Sequence, residues 1–391
     1  MDAVFDTVII GAGTAGLTAA IYSARAKRKT LVLDRKRPGG MASTTERMEN
    51  YPGFPGGIHG RELMKRFAEQ ALEMGAEVVR EEVARIESEG DIYVICGAKG
   101  GTWRARSVIL APGCEPRKLG IAGEEEFTGK GVSYCATCDA ELYEETSVLV
   151  IGSGDSAVEE AVYLSRFADE VIMAVVHDEG VLDCNRSMAE EAFANKKLKW
   201  LWNRVVVSID GDDFVTGVTV KHLKTGELET VNCDGVFMFV GTVPQTKFLE
   251  GFVDLDRGFI VHNEQMETSR TRVYAAGDSA VTVLRQVVTA ASDGAKAAFF
   301  ADRALCEEEE YRRALAQAGE HYLVYFYTPP VQRSLDAIPE AEAVARKQGI
   351  PLVKLDTARF RNVFREFSGT EVPSLFEVTG SRVEKKEFLC S

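Results

Sequence analysis

Cysteine is scarce in this chain, at eight residues in 391. That density is too low for a disulfide scaffold and fits a reducing compartment. The five histidines contain no H-x-x-x-H pair. Only Cys135 and Cys138 are spaced C-x-x-C, so a four-ligand zinc site lacks its second half and no metal is expected. No run of 18 apolar residues occurs, which argues against a membrane-spanning helix. Positive charge is in deficit, with 46 Lys and Arg against 60 Asp and Glu and a net charge of −14. The footprint of a nucleic-acid binder is therefore missing, and an anionic membrane surface would repel the chain. The charge itself reads as solubility. Residues 1–16 have no basic n-region and run straight into a strand and turn rather than a signal peptide. These absences leave a cytoplasmic enzyme as the expectation. Composition is 45% apolar and 27% charged over 391 residues, enough for a sizeable core in two to three domains.

Glycine supplies the first positive signal. The apolar run 5–10 leads into Gly11-Ala12-Gly13-Thr14-Ala15-Gly16. A helical stretch from Leu17 to Ala26 follows, then a second apolar run, Thr30 to Leu33, ending at Asp34. G-x-G-x-x-G inside a strand–helix–strand unit, closed by an acid, is a dinucleotide-binding signature. The first glycine makes the turn, the second lets backbone approach a pyrophosphate, and the third packs helix on strand. The helix N-terminus faces the phosphates, and Asp34 can accept from a ribose. A second copy follows at 146–176: strand Ser147 to Ile151, turn Gly152-Ser153-Gly154-Asp155-Ser156-Ala157, helix Val158 to Phe167, strand Glu170 to Val176. Between the copies Ser107 to Ala111 runs into Pro112-Gly113. A third glycine-bearing strand end lies at 273–278, before a helical run from Val287 to Leu305.

Cys135-Ala136-Thr137-Cys138-Asp139 precedes the second copy. Two thiols at this spacing close a small-loop disulfide and reopen it by exchange. A structural disulfide or half a zinc site has the same spacing. The nucleotide motifs on both sides favour redox chemistry, since two electrons leaving a nucleotide-bound cofactor must arrive together on a disulfide.

Beyond about 306 the composition changes. Glu307 to Glu310 are four consecutive acids, and a polar helical stretch runs to His321. The segment 307–320 reads as a linker or a solvated helix face. An α/β pattern then begins: strand 322–327, helix 334–348, strand 352–355, helix 359–368, and a strand at 372–378 entered by Pro373.

Residues 1–306 resemble a low-molecular-weight thioredoxin reductase almost throughout. The resemblance is carried by GAGTAG, Gly39-Gly40-Met41-Ala42, Glu49-Asn50-Tyr51-Pro52-Gly53, PGCEPRKLGIAGE at 112–124, GVSYCATCD at 131–139, GSGDSAVEEAVYLS at 152–165, and YAAGD with RQVVTAA at 274–291. It implies an α/β fold with two Rossmann-like domains. An FAD domain would be made of 1–118 and 248–306, with a nicotinamide-type domain, 119–247, inserted. It also implies a homodimer and a thioredoxin-like partner. FAD would be held by Gly11, Gly13, Ala15, Gly16 and Asp34 at its ADP half, by Gly40, Met41, Asn50 and Gly113, by Gly277 and Asp278 near the ribityl chain, and by Arg285, Gln286 and Val287 at the pyrimidine edge. Cys138 would face the flavin, Cys135 would attack the partner's disulfide, and Asp139 would move protons. The family usually has Gln-Leu where Met41-Ala42 stand, which removes a hydrogen bond to the cofactor, and Gly where Ala140 stands.

The nicotinamide site would use Gly152, Gly154, Asp155, Ser156 and Ala157. Relatives using NADPH carry arginines just after the second strand, whereas this chain has Val175-Val176-His177-Asp178-Glu179-Gly180-Val181 and no arginine before Arg186. Acids there repel a 2′-phosphate and suit a free ribose diol, so NADH is expected, with Asp178 on the ribose. Gly241-Thr242-Val243-Pro244 also departs from the family's Gly-His pattern. NADPH or a ferredoxin-type protein donor are the alternatives, and the intact second glycine turn argues against the latter. Other outcomes are an NADH oxidase or peroxide-system reductase, or a flavin-bound redox sensor.

Residues 321–391 resemble a thioredoxin fold with Pro373 as candidate cis-proline. The active-site segment Tyr327-Thr328-Pro329-Pro330-Val331-Gln332 has no cysteine, so a docking or assembly role is expected there.

Overall fold

The computed structural model describes residues 4–45, 48–367, 369, 371–380 and 382–386, with the side chains of Thr137 and Cys138 outside that description. Cys390 also lies outside the described residues.

The first sheet runs Glu77–Arg80, Thr30–Asp34, Val4–Ile10, Thr102–Leu110, Ile92–Gly97, Val83–Glu89, and Val273–Ala275 pairs with Thr102–Leu110. Its central strands are parallel, with Thr7 opposite Thr30 and Ile9 opposite Ile109. Both faces are covered, so residues 7–10 are all buried. Ile9, Val32 and Ile109 meet the helices Thr14–Arg25 and Val287–Ala318. Val8, Ile10, Leu31 and Leu33 meet Leu249, Val253 and Ile260 on the far face.

The second sheet is wholly parallel: Leu198–Trp202, Glu170–Val175, Ser147–Ile151, Gly235–Met238, Val132–Ser133. A three-stranded antiparallel sheet, 204–232, backs it. The chain passes between these two lobes twice. The two crossings, Cys114–Pro116 and Thr242–Pro244, pair antiparallel.

The third sheet has the order Leu352–Asp356, His321–Tyr327, Ser374–Thr379, Arg382–Lys386. Its first pair is parallel, the others antiparallel, and the Val372–Pro373 peptide is cis. Helix Ile338–Gln348 covers one face through Ala341 and Ala345.

The stretch 307–320 is not a linker. Residues 287–318 form one helix of 32 residues. Nothing between Gly294 and the terminating Gly319 interrupts it: the intervening sequence has no glycine or proline and is rich in Ala, Glu, Arg and Leu. Its first half closes the first domain, and the Cβ of a non-glycine at 294 would sit 2.0 Å from the Ala15 carbonyl oxygen. Its second half covers the open face of the third sheet through Tyr311, Ala314, Leu315 and Ala318. The four acids are not a solvated face either. Glu308 pairs with Arg272 at 2.8 Å and with Arg106 and Arg312. Glu309 pairs with Arg28 and Arg106 at 2.7 Å, and Glu310 pairs with Arg359. Glu307 is buried and accepts the backbone N–H groups of Asn362 and Val363, capping helix Arg361–Glu366. Among the described residues no helix is long and apolar enough to cross a membrane.

Candidate active site

The glycines of the first turn divide by function. Gly11 has φ +103°, and a Cβ there would lie 2.0 Å from the Ala111 carbonyl oxygen. At Gly16 it would lie 1.8 Å from the Gly11 carbonyl oxygen. At Gly13 the nearest atom is 3.9 Å away, the Cα of Gly40. Gly11 and Gly16 therefore serve the turn itself, while Gly13 leaves open space. No side chain caps helix Thr14–Arg25, and its first turn carries no acid, so its free N–H groups suit an anion. Asp34 is already engaged: Oδ2 accepts from Ala12 N at 2.6 Å and Oδ1 from Lys36 N at 2.7 Å. Each oxygen keeps a second lone pair, so Asp34 braces the turn and can still accept from a ligand.

That space belongs to one cavity of ≈480 Å³ shared by both lobes. Gly13, Ala15, Asp34, Gly40, Met41, Asn50, Gly113, Gly277, Asp278, Arg285, Gln286 and Val287 border it from the first domain. Tyr134, Cys135, Asp155 and Ser156 border it from the second. The long helix starts at the cavity wall. Gln286 is its N-cap in a reciprocal box with Thr289, and Asn50 Nδ2 donates to Gln286 Oε1 at 2.9 Å. Arg285 lies over the Phe259 ring, 4.3 Å from its centroid, and donates to the Asp278 carbonyl. Burial pushes the Asp278 carboxyl above its ordinary range, against the opposing pull of Arg285.

Cys135 is disulfide-bonded. It precedes the helical turn Ala136–Asp139, and its backbone N–H donates to the Oγ of buried Ser133 at 3.1 Å. Asp139 ends that turn and does not border the cavity. Titratable groups that sequence reasoning missed do border it, among them Cys114, Glu159 and Glu160. Burial pushes the Cys114 thiol up to about 11; it donates to the Asp278 carbonyl at 3.3 Å. Glu159 is pushed up by burial, with Asp155 and Glu49 adding to the shift. Helical spacing from Asp155 could have flagged Glu159; nothing local marked Cys114.

The second turn repeats the plan. Gly152 has φ +135° and a Cβ there would meet the Phe239 carbonyl oxygen at 2.3 Å, while Gly154 has nothing within 4 Å. Ala157 is buried. Helix Asp155–Leu164 also has no side-chain cap. Asp178 follows the second strand and does not border the cavity. It pairs with Lys224, and Lys224 and Asn203 together hold its carboxyl below the usual range. The strand ends at Val175, and the following loop is tied back to the turn through Asp183. The acid beside the turn is Asp183, whose Oδ2 accepts from Ser153 Oγ at 2.7 Å. Among the described residues no group of three or more His, Cys, Asp or Glu side chains converges as a metal site.

The model of the pyridine nucleotide-disulphide oxidoreductases matches residues 5–294. A thioredoxin reductase of Peptoclostridium acidaminophilum is 44% identical over 310 residues, 78% of this chain and 98% of that protein. One from Bacillus subtilis is 41% identical over 299 residues, 76% of this chain and 93% of that protein. Among solved structures, Lactococcus lactis thioredoxin reductase superposes with a TM-score of 0.75 at 39% identity, covering 78% of this chain and 99% of that one. T. acidophilum thioredoxin reductase superposes with a TM-score of 0.72 at 37% identity, covering 76% of this chain and 97% of that one. The chain belongs to the pyridine nucleotide-disulphide oxidoreductase family. It has the low-molecular-weight thioredoxin-reductase fold and is an oxidoreductase acting on a disulfide. The family match ends at residue 294, ahead of the third sheet.

Proposed function

We propose that this chain is a thioredoxin reductase that moves two electrons from NADH through FAD to the disulfide of Cys135 and Cys138, and then to a thioredoxin. The observation that carries the reading is the shared cavity, bordered by the first glycine turn, by Cys135 and by the second helix N-terminus. Its volume lies in the range of small-molecule sites. The residues fit FAD. Gly13 leaves room for a pyrophosphate against free N–H groups, Asp34 keeps acceptor capacity for a ribose, and Arg285 to Val287 bring a helix N-terminus to the place where a reduced flavin would carry negative charge. When bound, FAD accepts a hydride and passes two electrons to a disulfide.

The thiol chemistry then belongs to the chain. The Cys135 thiolate attacks the partner's disulfide, forming a mixed disulfide as the partner's other sulfur leaves as thiolate. Cys138 attacks Cys135 Sγ, which releases the reduced partner and restores the internal disulfide. Asp139 exchanges the protons. Ser133 holds the Cys135 backbone while this occurs. The absence of arginines after the second strand supports NADH over NADPH. The sparse cysteines support a reducing compartment, the cytoplasm in this reading, and the chain is read as a homodimer with the thioredoxin-like domain as an assembly or docking element.

Anaerobic titration of the purified flavoprotein tests the donor. NADH should bleach the flavin stoichiometrically; bleaching by NADPH alone, or by reduced ferredoxin alone, would replace the donor reading. Oxygen consumption undiminished by added thioredoxin would instead indicate an oxidase.

A further inference from the structure

The loop 176–185 departs from the strand end and returns across the second glycine turn. Asp183 N donates to the Ser153 carbonyl at 2.9 Å, and Asp183 and Gly154 form an isolated parallel bridge. Asn185 donates through both its backbone N–H and its Nδ2 to Asp155 Oδ1, at 2.8 and 3.2 Å. This turns the carboxylate at the helix start towards the loop. Within this frame one oxygen of Asp183 is held twice, since Oδ2 lies 2.7 Å from Ser153 Oγ and 2.7 Å from His177 Nε2. No hydrogen bond reaches Oδ1 among the described residues, and the side chain is 60% exposed.

A carboxylate fixed by two partners on one oxygen presents the other in a set direction. Here it is beside a turn whose open glycine, Gly154, admits a ligand's backbone-close approach. In dinucleotide folds an acid at the end of the second strand accepts from the adenosine ribose diol; Asp183 lies further along the chain, but its bonds to Ser153 bring it to the same glycine turn, and its charge would repel a 2′-phosphate. The strand-end acid, Asp178, is drawn off by Lys224.

We infer that Asp183, positioned by Ser153 and His177, is the residue that reads the adenosine ribose of the electron donor and sets the preference for a dinucleotide with a free 2′-hydroxyl. The inference rests on the pyridine-nucleotide reading above, yet it can be tested apart from electron transfer. His177 and Ser153 are positioning residues, because they act through Asp183.

The experiment is calorimetric titration of the oxidised holoprotein with ADP-ribose and with its 2′-phosphorylated form. Flavin bleaching by NADH is followed in parallel, with each variant's melting temperature as a fold control. Asp183→Asn should weaken ADP-ribose binding about ten- to hundredfold, the loss expected for one charge-assisted hydrogen bond. It should also narrow the preference over the 2′-phosphate form, raise KM for NADH and leave kcat unchanged. Asp183→Glu should recover part of the affinity, and His177→Asn should show a smaller loss. Unchanged ADP-ribose affinity in Asp183→Asn overturns the inference, as does loss confined to Asp178→Asn or a wild-type protein that binds no ADP-ribose. If binding depends on Asp183 but NADH leaves the flavin oxidised, the inference stands and the proposed donor falls.

Discussion

Three glycines in the first turn carry different burdens, and substitution separates them. Gly16→Ala places a methyl against a backbone oxygen 1.8 Å away, so the turn must open, at a cost of about 3 kcal/mol or more. Gly13→Ala meets nothing closer than 3.9 Å and should cost the apoprotein only about 1 kcal/mol, the usual difference between glycine and alanine at an N-cap. It should nonetheless lower flavin content, because the methyl enters the space kept for the cofactor. Denaturant unfolding of apoprotein, set beside the visible-to-ultraviolet absorbance ratio of holoprotein, distinguishes the two. Equal loss of stability in both variants would contradict the division. At the thiols, Cys135→Ser should abolish thioredoxin reduction while the flavin stays bound and reducible; turnover that survives would remove Cys135 from the role proposed for it.

The long helix is the element that joins two domains, and Glu307 is its buried contact. Desolvation raises this carboxyl's pKa, while the N–H groups of Val363 and Asn362 pull it down. A carboxyl with a raised native pKa binds more protons folded than unfolded, so its contribution to stability falls as pH rises from the ordinary carboxylate range through the raised value. Glu307→Gln keeps an acceptor for the two N–H groups and loses the charge. It should therefore be near neutral at pH 7 and should flatten that part of the pH–stability curve. Glu307→Ala leaves both donors unpaired and should destabilise by about 1–3 kcal/mol. Thermal melts of the three proteins across the acid range supply the check; identical pH profiles for wild type and Glu307→Gln would count against a buried titrating carboxyl.

At the scale of the whole molecule, the helix makes the third sheet dependent on the first domain. The sheet's second face is covered by Tyr311, Ala314, Leu315 and Ala318, so a fragment starting at 320 exposes an apolar face and should aggregate or remain unfolded. A fragment starting near 305 should be markedly better behaved, as read by circular dichroism and gel filtration. In the other direction, ending the chain at 319 keeps Glu308 and Glu309 with Arg28, Arg106 and Arg272, whereas ending it at 306 leaves these three partly buried guanidinium groups with only Asp302, Asp6 and Asp91. The shorter truncation product should melt lower. Equal melting temperatures would show that the ion-pair cluster contributes nothing, the outcome typical of isolated surface pairs.

The sequence by itself determined what depends on local backbone demands. Two glycine turns, each between an apolar strand and a helix, a C-x-x-C segment between them, and a proline-entered strand near the end are all legible because neighbouring residues carry the constraint. Tertiary structure alone decided what depends on residues far apart in the chain. Nothing near Glu307 to Glu310 announces Arg28, Arg106, Arg272 or the N–H groups of 362 and 363, and so four acids read as a solvated linker. Nothing near Asp178 announces its ion pair with Lys224, and no spacing rule brings Asp183 back to Ser153. The same holds for the cavity. Cys114, Cys135 and Glu159 share one wall only because two strands cross between the lobes and fix them face to face.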